Sequence, residues 1–392
     1  MPSASPADAI LLSIIVPTRN RQHCAESLIQ SVHAAKAASV ELLIQDNSDD
    51  DRLGQAVAAL DDQRIRYIHT RDALNMHENF GRAIEASRGR FVCALGDDDG
   101  ILVDRAMVLL ERAADEDCDA VLTQKVSYQW PGLVHWLWGD MGGRMTLPRV
   151  RNPGVEQVDP RAEVRRVLST AATGGMARMP RVYHGFVSRR ALDRLRDRTG
   201  SYFPGGSPDM ANAVGLSFCV DRMLYSDTPL VISGHSAKSG GGAGSAGRHH
   251  GEVADQPHLP AETKANWPRS IPDYWSGHTI YAESAQAATR AAGDPAAFPI
   301  DYAALYAACF VFDQRIYWPR VVAAMRANPA WGPGLIMRTA GVTARMLVQR
   351  AVIFSGNMTR KIISRRTGPG FASIADLTAS LGRSPTTGEF AR

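Results

Sequence analysis

The chain reads as an α/β protein: a mostly parallel, doubly wound sheet with helices on both faces, followed by a helical C-terminal region. Two observations predict this. Short apolar runs alternate with segments of helical spacing through the first third, which implies crossover units and a parallel sheet. Three of those runs end in polar clusters, Pro17-Thr18, Asp46-Asn47 and Asp97 to Asp99. In such sheets ligands bind beyond the carboxyl ends of the strands, so three clusters at three strand ends point to one site.

Leu11 to Val16 is a short apolar run closed by Pro17-Thr18 and reads as a buried strand. Residues 22 to 38 carry Leu28, Ile29, Val32 and Ala35 at helical spacing. Val40 to Ile44 is a second strand, residues 52 to 60 a short helix and Arg64 to Ile68 a third strand. Asn79 to Ser87 reads as a helix stopped by Gly89, Phe91 to Leu95 as a strand, Leu102 to Ala114 as a helix and Ala120 to Thr123 as a strand. Residues 127 to 160, with Tyr128, Trp130, Trp136 and Trp138 among Gly and Pro, read as an insertion or loop. Order returns with a strand at Val182 to Val187, a helix at Arg190 to Arg196, the segment Asp209 to Leu216 and a strand at Leu230 to Ser233. Residues 234 to 258 have the Gly, Ser and His content of a mobile loop. From about 260 the chain turns helical. The expected organisation is a flexible N-terminus (1–10), a catalytic domain (11–258) with halves at 11–125 and 126–258, and a basic helical region (259–392).

The formal net charge of +4 is mild, and no nucleic-acid-binding motif accompanies it, so nucleic acid is excluded as a partner. Five scattered cysteines without metal-ligand spacing read as reduced cytosolic thiols. The first residues lack a basic segment followed by an apolar core, and no apolar run approaches the ~20 residues of a spanning helix. Between Asp313 and Asp376 there is no acidic residue but a series of arginines, with charges not segregated to one helical face. This stretch reads either as an anionic-membrane surface or as a partner-binding surface.

Asp97, Asp98 and Asp99 follow a β-favouring run directly. Adjacent like charges there are costly unless neutralised, and hard oxygen ligands on so short a segment favour Mg2+ or Mn2+ shared with a phosphate. An exposed acidic turn capping the next helix is the competing reading. Asp46, in Asp-Asn-Ser, is also good turn chemistry.

Ser13-Ile14-Ile15-Val16-Pro17-Thr18-Arg19-Asn20, then Leu43-Ile44-Gln45-Asp46-Asn47-Ser48, then Gly89-Arg90-Phe91-Val92 leading into Leu95-Gly96-Asp97-Asp98-Asp99, resembles the family 2 glycosyltransferases of the GT-A fold. The resemblance covers roughly residues 11 to 125. It implies transfer of a sugar from a nucleoside-diphosphate sugar to a glycan or lipid-linked acceptor, with inversion and a divalent metal on the diphosphate, in polysaccharide biosynthesis. It places Pro17, Thr18, Arg19, Asp46 and Asn47 on the nucleotide sugar, Asp98 nearer the ribose, Asp99 on the metal and Asp97 as a helper at the same nucleotide-sugar site. The chain departs from the commoner Asp-x-Asp-Asp form in having Gly96 first.

The resemblance also puts the catalytic base at Asp209, with Asp221 and Asp227 as runners-up. A helix N-cap after Pro208 is the plainer reading of Asp209. His235 is a candidate additional metal ligand. His184 either touches the acceptor or finishes a core strand. Lys238 or Arg248 in the glycine-rich loop can meet phosphate, and the tryptophans read mainly as packing. The expected location is cytoplasmic, peripheral at the inner face of the membrane. The competing readings are a non-catalytic nucleotide- or glycan-binding scaffold and a nucleotidyltransferase. The latter would want glycine after the first strand, where Arg19-Asn20-Arg21 stands.

Overall fold

The computed structural model describes residues 10–135, 139–150, 154–237, 250–256, 259–363 and 370–383. Trp136, Trp138, Lys238 and Arg248 lie outside the described residues.

The strands are β1 (Leu12–Thr18), β2 (Val40–Asp46), β3 (Ile65–His69), β4 (Phe91–Ala94), β5 (Gly100–Ile101), β6 (Ala120–Gln129), β7 (Val155–Val158), β8 (Gly185–Ser188) and β9 (Met223–His235). The main sheet runs β7-β9-β6-β8-β4-β1-β2-β3, with β5 paired to β9. β3, β2, β1 and β4 are mutually parallel, and β6 and β9 pair in parallel. β8 lies antiparallel between β4 and β6, and β7 is antiparallel on β9.

The crossovers in the first half are α1 (Gln22–His33), α2 (Arg52–Ala58), α3 (Met76–Ala86) and α4 (Val103–Asp115). α5 (Pro160–Leu168), α6 (Arg189–Thr199) and α7 (Pro208–Leu216) follow. The C-terminal region comprises α8 (Ala261–Ala265), α9 (Gly277–Ala292), α10 (Tyr302–Phe312), α11 (Trp318–Ala327), α12 (Pro333–Ile363) and α13 (Ile374–Arg383).

Strand periodicity sorts the core. On β1, Leu12, Ile14 and Val16 face one side with α1 and α4, while Ile15 faces the other with Ala83 and Ile84 of α3. Both sheet faces are covered, so the central strands carry near-continuous apolar runs. Burial of each such side chain contributes roughly 1.5–3 kcal/mol. Helix starts follow local chemistry: Asn75 and Glu78 form a capping box on α3, Ser188 caps α6, and Ser276 and Thr279 cap α9.

Two strands are longer than the sequence pattern indicates. The strand expected at 120–123 continues to Gln129, and Leu230–Ser233 is the end of a strand that begins at Met223. β6 and β9 pair past a register irregularity between Ser226 and Val231 and carry the sheet out to Gln129 and His235. Polar and aromatic residues mask this extension in the sequence. The supposed insertion is therefore partly strand.

The C-terminal region is packed on the sheet. Ala285, Ala288 and Ala292 of α9 and Phe298 share the core of β4, β6 and β8. α13 returns to the first half, where Ile374, Leu377 and Leu381 are buried with Cys24, Leu102, Tyr128 and Trp130. No helix among the described residues is long and apolar enough to cross a membrane.

Candidate active site

Register assembles the site. Thr18 pairs with Asp46 across β1 and β2. The β1–β4 register, Ile15 opposite Ala94, carried three residues on, sets Thr18 beside Asp97. Thr18 Oγ1 donates to Asp97 Oδ2 at 2.7 Å.

The three carboxylates have three different environments. Asp97 Oδ1 lies 2.8 Å from Arg21 Nη1. Burial pushes its carboxyl up to about 7, against the pull of Arg21 and with help from Asp98. Asp98 Oδ2 lies 2.7 Å from Arg21 Nη2 and accepts from Ser236 N at 3.1 Å and Ser236 Oγ at 2.8 Å. Asp98 Oδ1 takes no hydrogen bond among the described residues.

Asp99 is fully buried and saturated. Its Oδ2 accepts from Gly96 N (2.7 Å), Tyr183 Oη (3.0 Å) and His184 Nε2 (2.6 Å), and its Oδ1 from Gly234 N (2.9 Å). Burial works to raise this carboxyl. His184 and the two amides outweigh it and hold Asp99 below the usual carboxylate range. Asp99, expected on the metal, therefore ties β4 to β9 and to the 183–184 segment. Gly234 makes this possible: a Cβ there would stand 1.7 Å from the Asp98 carbonyl oxygen.

His184 is likewise committed, to Asp99 and Lys125. Its Nδ1 accepts from the Lys125 ammonium at 3.0 Å, so the imidazole is neutral and donates through Nε2 to Asp99. Burial, with Lys125, holds it below its ordinary range. Its backbone is left-handed, φ 62°, a strained conformation for a non-glycine residue. The bond from its N to Ala94 O (3.0 Å) and stacking on Tyr183 (3.9 Å) secure it. We expect Asp99→Ala to strand four donors and lower unfolding stability by about 3 kcal/mol or more, read as a denaturant midpoint.

Asp209 sits in the first turn of α7 behind Pro208. It is half-buried, and its carboxylate has no hydrogen-bond donor among the described residues. Burial pushes it up to about 6, while Lys125 and Arg181 pull it down. Asn212, one turn on, accepts from Val182 N (2.9 Å) and donates to Tyr202 O (3.0 Å), fixing α7 against the segment that carries Tyr183 and His184. The runners-up are occupied elsewhere: Asp221 faces Arg194 and Asp227 accepts from Gln124.

On the β2 side, Asp46 is fully buried and accepts from Ser48 N (2.8 Å) and Tyr67 Oη (3.0 Å). Asn47 donates to Thr70 O and Asp72 O and accepts from Leu74 N, so it folds the loop after β3. Both residues are tied into the loops that follow β2 and β3. Pro17 is half-buried and Arg19 exposed. His235 is half-buried beside Ser236, and a cavity of about 260 Å3 lined by Arg21, Trp130 and Ser236 adjoins it. Trp130 is buried and donates through Nε1 to Asp98 O (2.8 Å), so it packs and braces the acidic turn.

The donor set fits a hard divalent cation held by one carboxylate oxygen and completed by substrate phosphate. Asp98 Oδ1 is an oxygen that could take that role; among the described residues no group of three or more His, Cys, Asp or Glu side chains converges there. Asp99 is engaged by four donors, three on Oδ2 and the Gly234 amide on Oδ1. The sequence pattern missed Arg21, Lys125, Tyr183 and Ser236. Only Arg21 left a signal, as a cation at the end of the first strand.

Residues 13–162 match the family model described as glycosyl transferase family 2. The chain is 33% identical over 107 residues to the GalNAc(5)-diNAcBac-PP-undecaprenol beta-1,3-glucosyltransferase of Campylobacter jejuni, covering 26% of this chain and 34% of that protein. It is 31% identical over 106 residues to the succinoglycan biosynthesis protein ExoO of Rhizobium meliloti, covering 26% and 29%. The match spans about a third of the length of these relatives. Among solved structures, the mannosyltransferase PcManGT from Pyrobaculum calidifontis in complex with GDP-Man and Mn2+ is 16% identical. The alignment covers 88% of this chain and 83% of that one, with a TM-score of 0.43.

Proposed function

We propose, from the premise that residues 13–162 form a family 2 glycosyltransferase segment, that the chain moves a sugar from a nucleoside-diphosphate donor to a glycan or lipid-linked acceptor with inversion. The observation that carries this reading is Asp209. Among the described residues it is a carboxylate without a hydrogen-bond donor, pushed up to about 6 by burial and set near Lys125, Arg181 and Asp99. A base poised just below neutrality is what hydroxyl activation needs. The acceptor class draws on the names of the relatives, one of which acts on an undecaprenol-linked substrate.

In this reading Pro17, Thr18 and Arg19 border the nucleotide, with Asp46 and Asn47 shaping the wall behind it. Asp97 lies toward the ribose. Arg21, whose two terminal nitrogens already span Asp97 and Asp98, presents a fork that matches phosphate oxygens. Asp98, with His235 as a further candidate ligand, would hold Mg2+ or Mn2+, which when bound would supply a Lewis acid for the departing diphosphate. Asp209 takes the acceptor hydroxyl proton as that oxygen bonds to the anomeric carbon. The bond from the anomeric carbon to the phosphate oxygen breaks, and its electron pair leaves with the nucleoside diphosphate. One displacement on the opposite face inverts the centre.

A thermal-shift screen of uridine, guanosine, thymidine and cytidine diphosphates, with and without Mn2+, tests this. In the folded chain Asp97 titrates near 7, above its unfolded range. Folding stability therefore falls as pH rises from about 4 to about 7. A bound cation favours the ionised Asp97–Asp98 pair and offsets that loss. One diphosphate with Mn2+ is expected to raise the melting temperature, and more at pH 8 than at pH 6. No shift with any of the four, at either pH, would reject a nucleotide-sugar donor.

A further inference from the structure

We infer that the outward face of α12 docks the chain onto an anionic membrane surface. α12 packs on α10 through one stripe: Leu335 and Thr339 are buried, and Val342, Thr343 and Met346 continue the same face. The opposite side is also apolar. Met337, Ala340, Ala344, Leu347, Val348 and Ala351 recur at spacings of three and four, so they share the face turned away from α10. Met337 is 68%, Leu347 52% and Val348 64% exposed. A soluble helix ordinarily shows a polar outer face, and this one does not.

The charges settle which occupant suits the face. Arg338 and Arg345 follow one edge of it, Arg338 already paired with Asp301 at 3.0 Å, while Arg350 lies toward the other edge and donates to Val311 O. No Asp or Glu occurs between Asp313 and Asp376. A second copy laid on this face would add like charges at its arginine edge, where the acid at hand, Asp301, is already engaged by Arg338, which disfavours an isologous dimer. An anionic bilayer offers what both parts need: an apolar layer for Met337, Leu347 and Val348, and phosphate for the arginines beside them. Trp331, 43% exposed just before the helix, has the amphipathic ring that settles at the headgroup level. This docking needs neither donor nor catalytic base, so it stands or falls apart from the transfer reaction.

The test is sedimentation of the full chain with vesicles of phosphatidylcholine alone, or of phosphatidylcholine and phosphatidylglycerol in equal parts, at low and high salt. The native chain is expected to sediment with the anionic vesicles at low salt and to stay in solution with the neutral ones. Met337→Glu with Val348→Glu, and separately Arg338→Gln with Arg345→Gln, are expected to cut partitioning by about tenfold or more. These positions are exposed, and the surface pair of Arg338 with Asp301 contributes at most about 1 kcal/mol, so the melting temperature should nearly hold and certify the fold. Native-like sedimentation of both variants would overturn the inference, as would a native chain that ignores anionic vesicles. A dimer seen by light scattering that Met337→Glu with Val348→Glu dissolves would assign the face to a second copy instead.

Discussion

An Asp209→Asn chain is expected to transfer sugar about a thousandfold more slowly than the native chain while binding donor equally well. The amide keeps the shape of the side chain and its place in the first turn of α7, but it cannot take a proton. Native kcat/KM should rise with pH through an apparent pKa of about 6, where Asp209 ionises, and that limb should vanish in the variant. Stability separates chemistry from damage. Burial holds Asp209 above its unfolded range, so its ionised form weakens the fold above pH 6, and removing the charge should leave the melting temperature equal or higher there. Native turnover in Asp209→Asn would move the base elsewhere. Neither Asp221, exposed beside Arg194, nor Asp227, held by Gln124, is free for the task.

The second large effect is expected at Asp98. Asp98→Asn should lose cation-stimulated turnover by about a hundredfold or more. The fold should survive, because the amide oxygen can still accept from Ser236. Asp97→Asn is the internal comparison. Asp97 is half-protonated near pH 7 and already neutralised by Arg21 and Thr18, so its amide should cost clearly less at neutral pH. Steady-state rates across a Mn2+ titration decide the ranking. Equal losses at the two positions would mean that the cation bridges both carboxylates.

The strand ends were legible because each apolar run stops abruptly at a polar cluster. Pro17-Thr18, Asp46-Asn47 and Asp97 to Asp99 do lie at neighbouring ends of parallel strands. The division of labour within the acidic triplet was not legible. Successive side chains leave a turn in different directions, and Asp99 goes inward only because Gly234 lets β9 approach closely enough to donate to it. Such a contact joins residues 135 apart in the chain, and local periodicity carries no record of it. The same holds for Ser236 on Asp98 and Lys125 on His184. The apolar outer face of α12 was hidden for another reason. A helix with two apolar sides blurs the single stripe that a sequence pattern looks for, and only the packing on α10 tells the sides apart.

The last described helix has a consequence for synthesis. Ile374, Leu377 and Leu381 close over Tyr128 and Trp130, and Trp130 braces the backbone of Asp98. During synthesis the acidic turn therefore acquires its floor only once α13 has been made, long after β4 and β9. Products that stop before α13 keep the whole nucleotide-side sheet and yet lack this support.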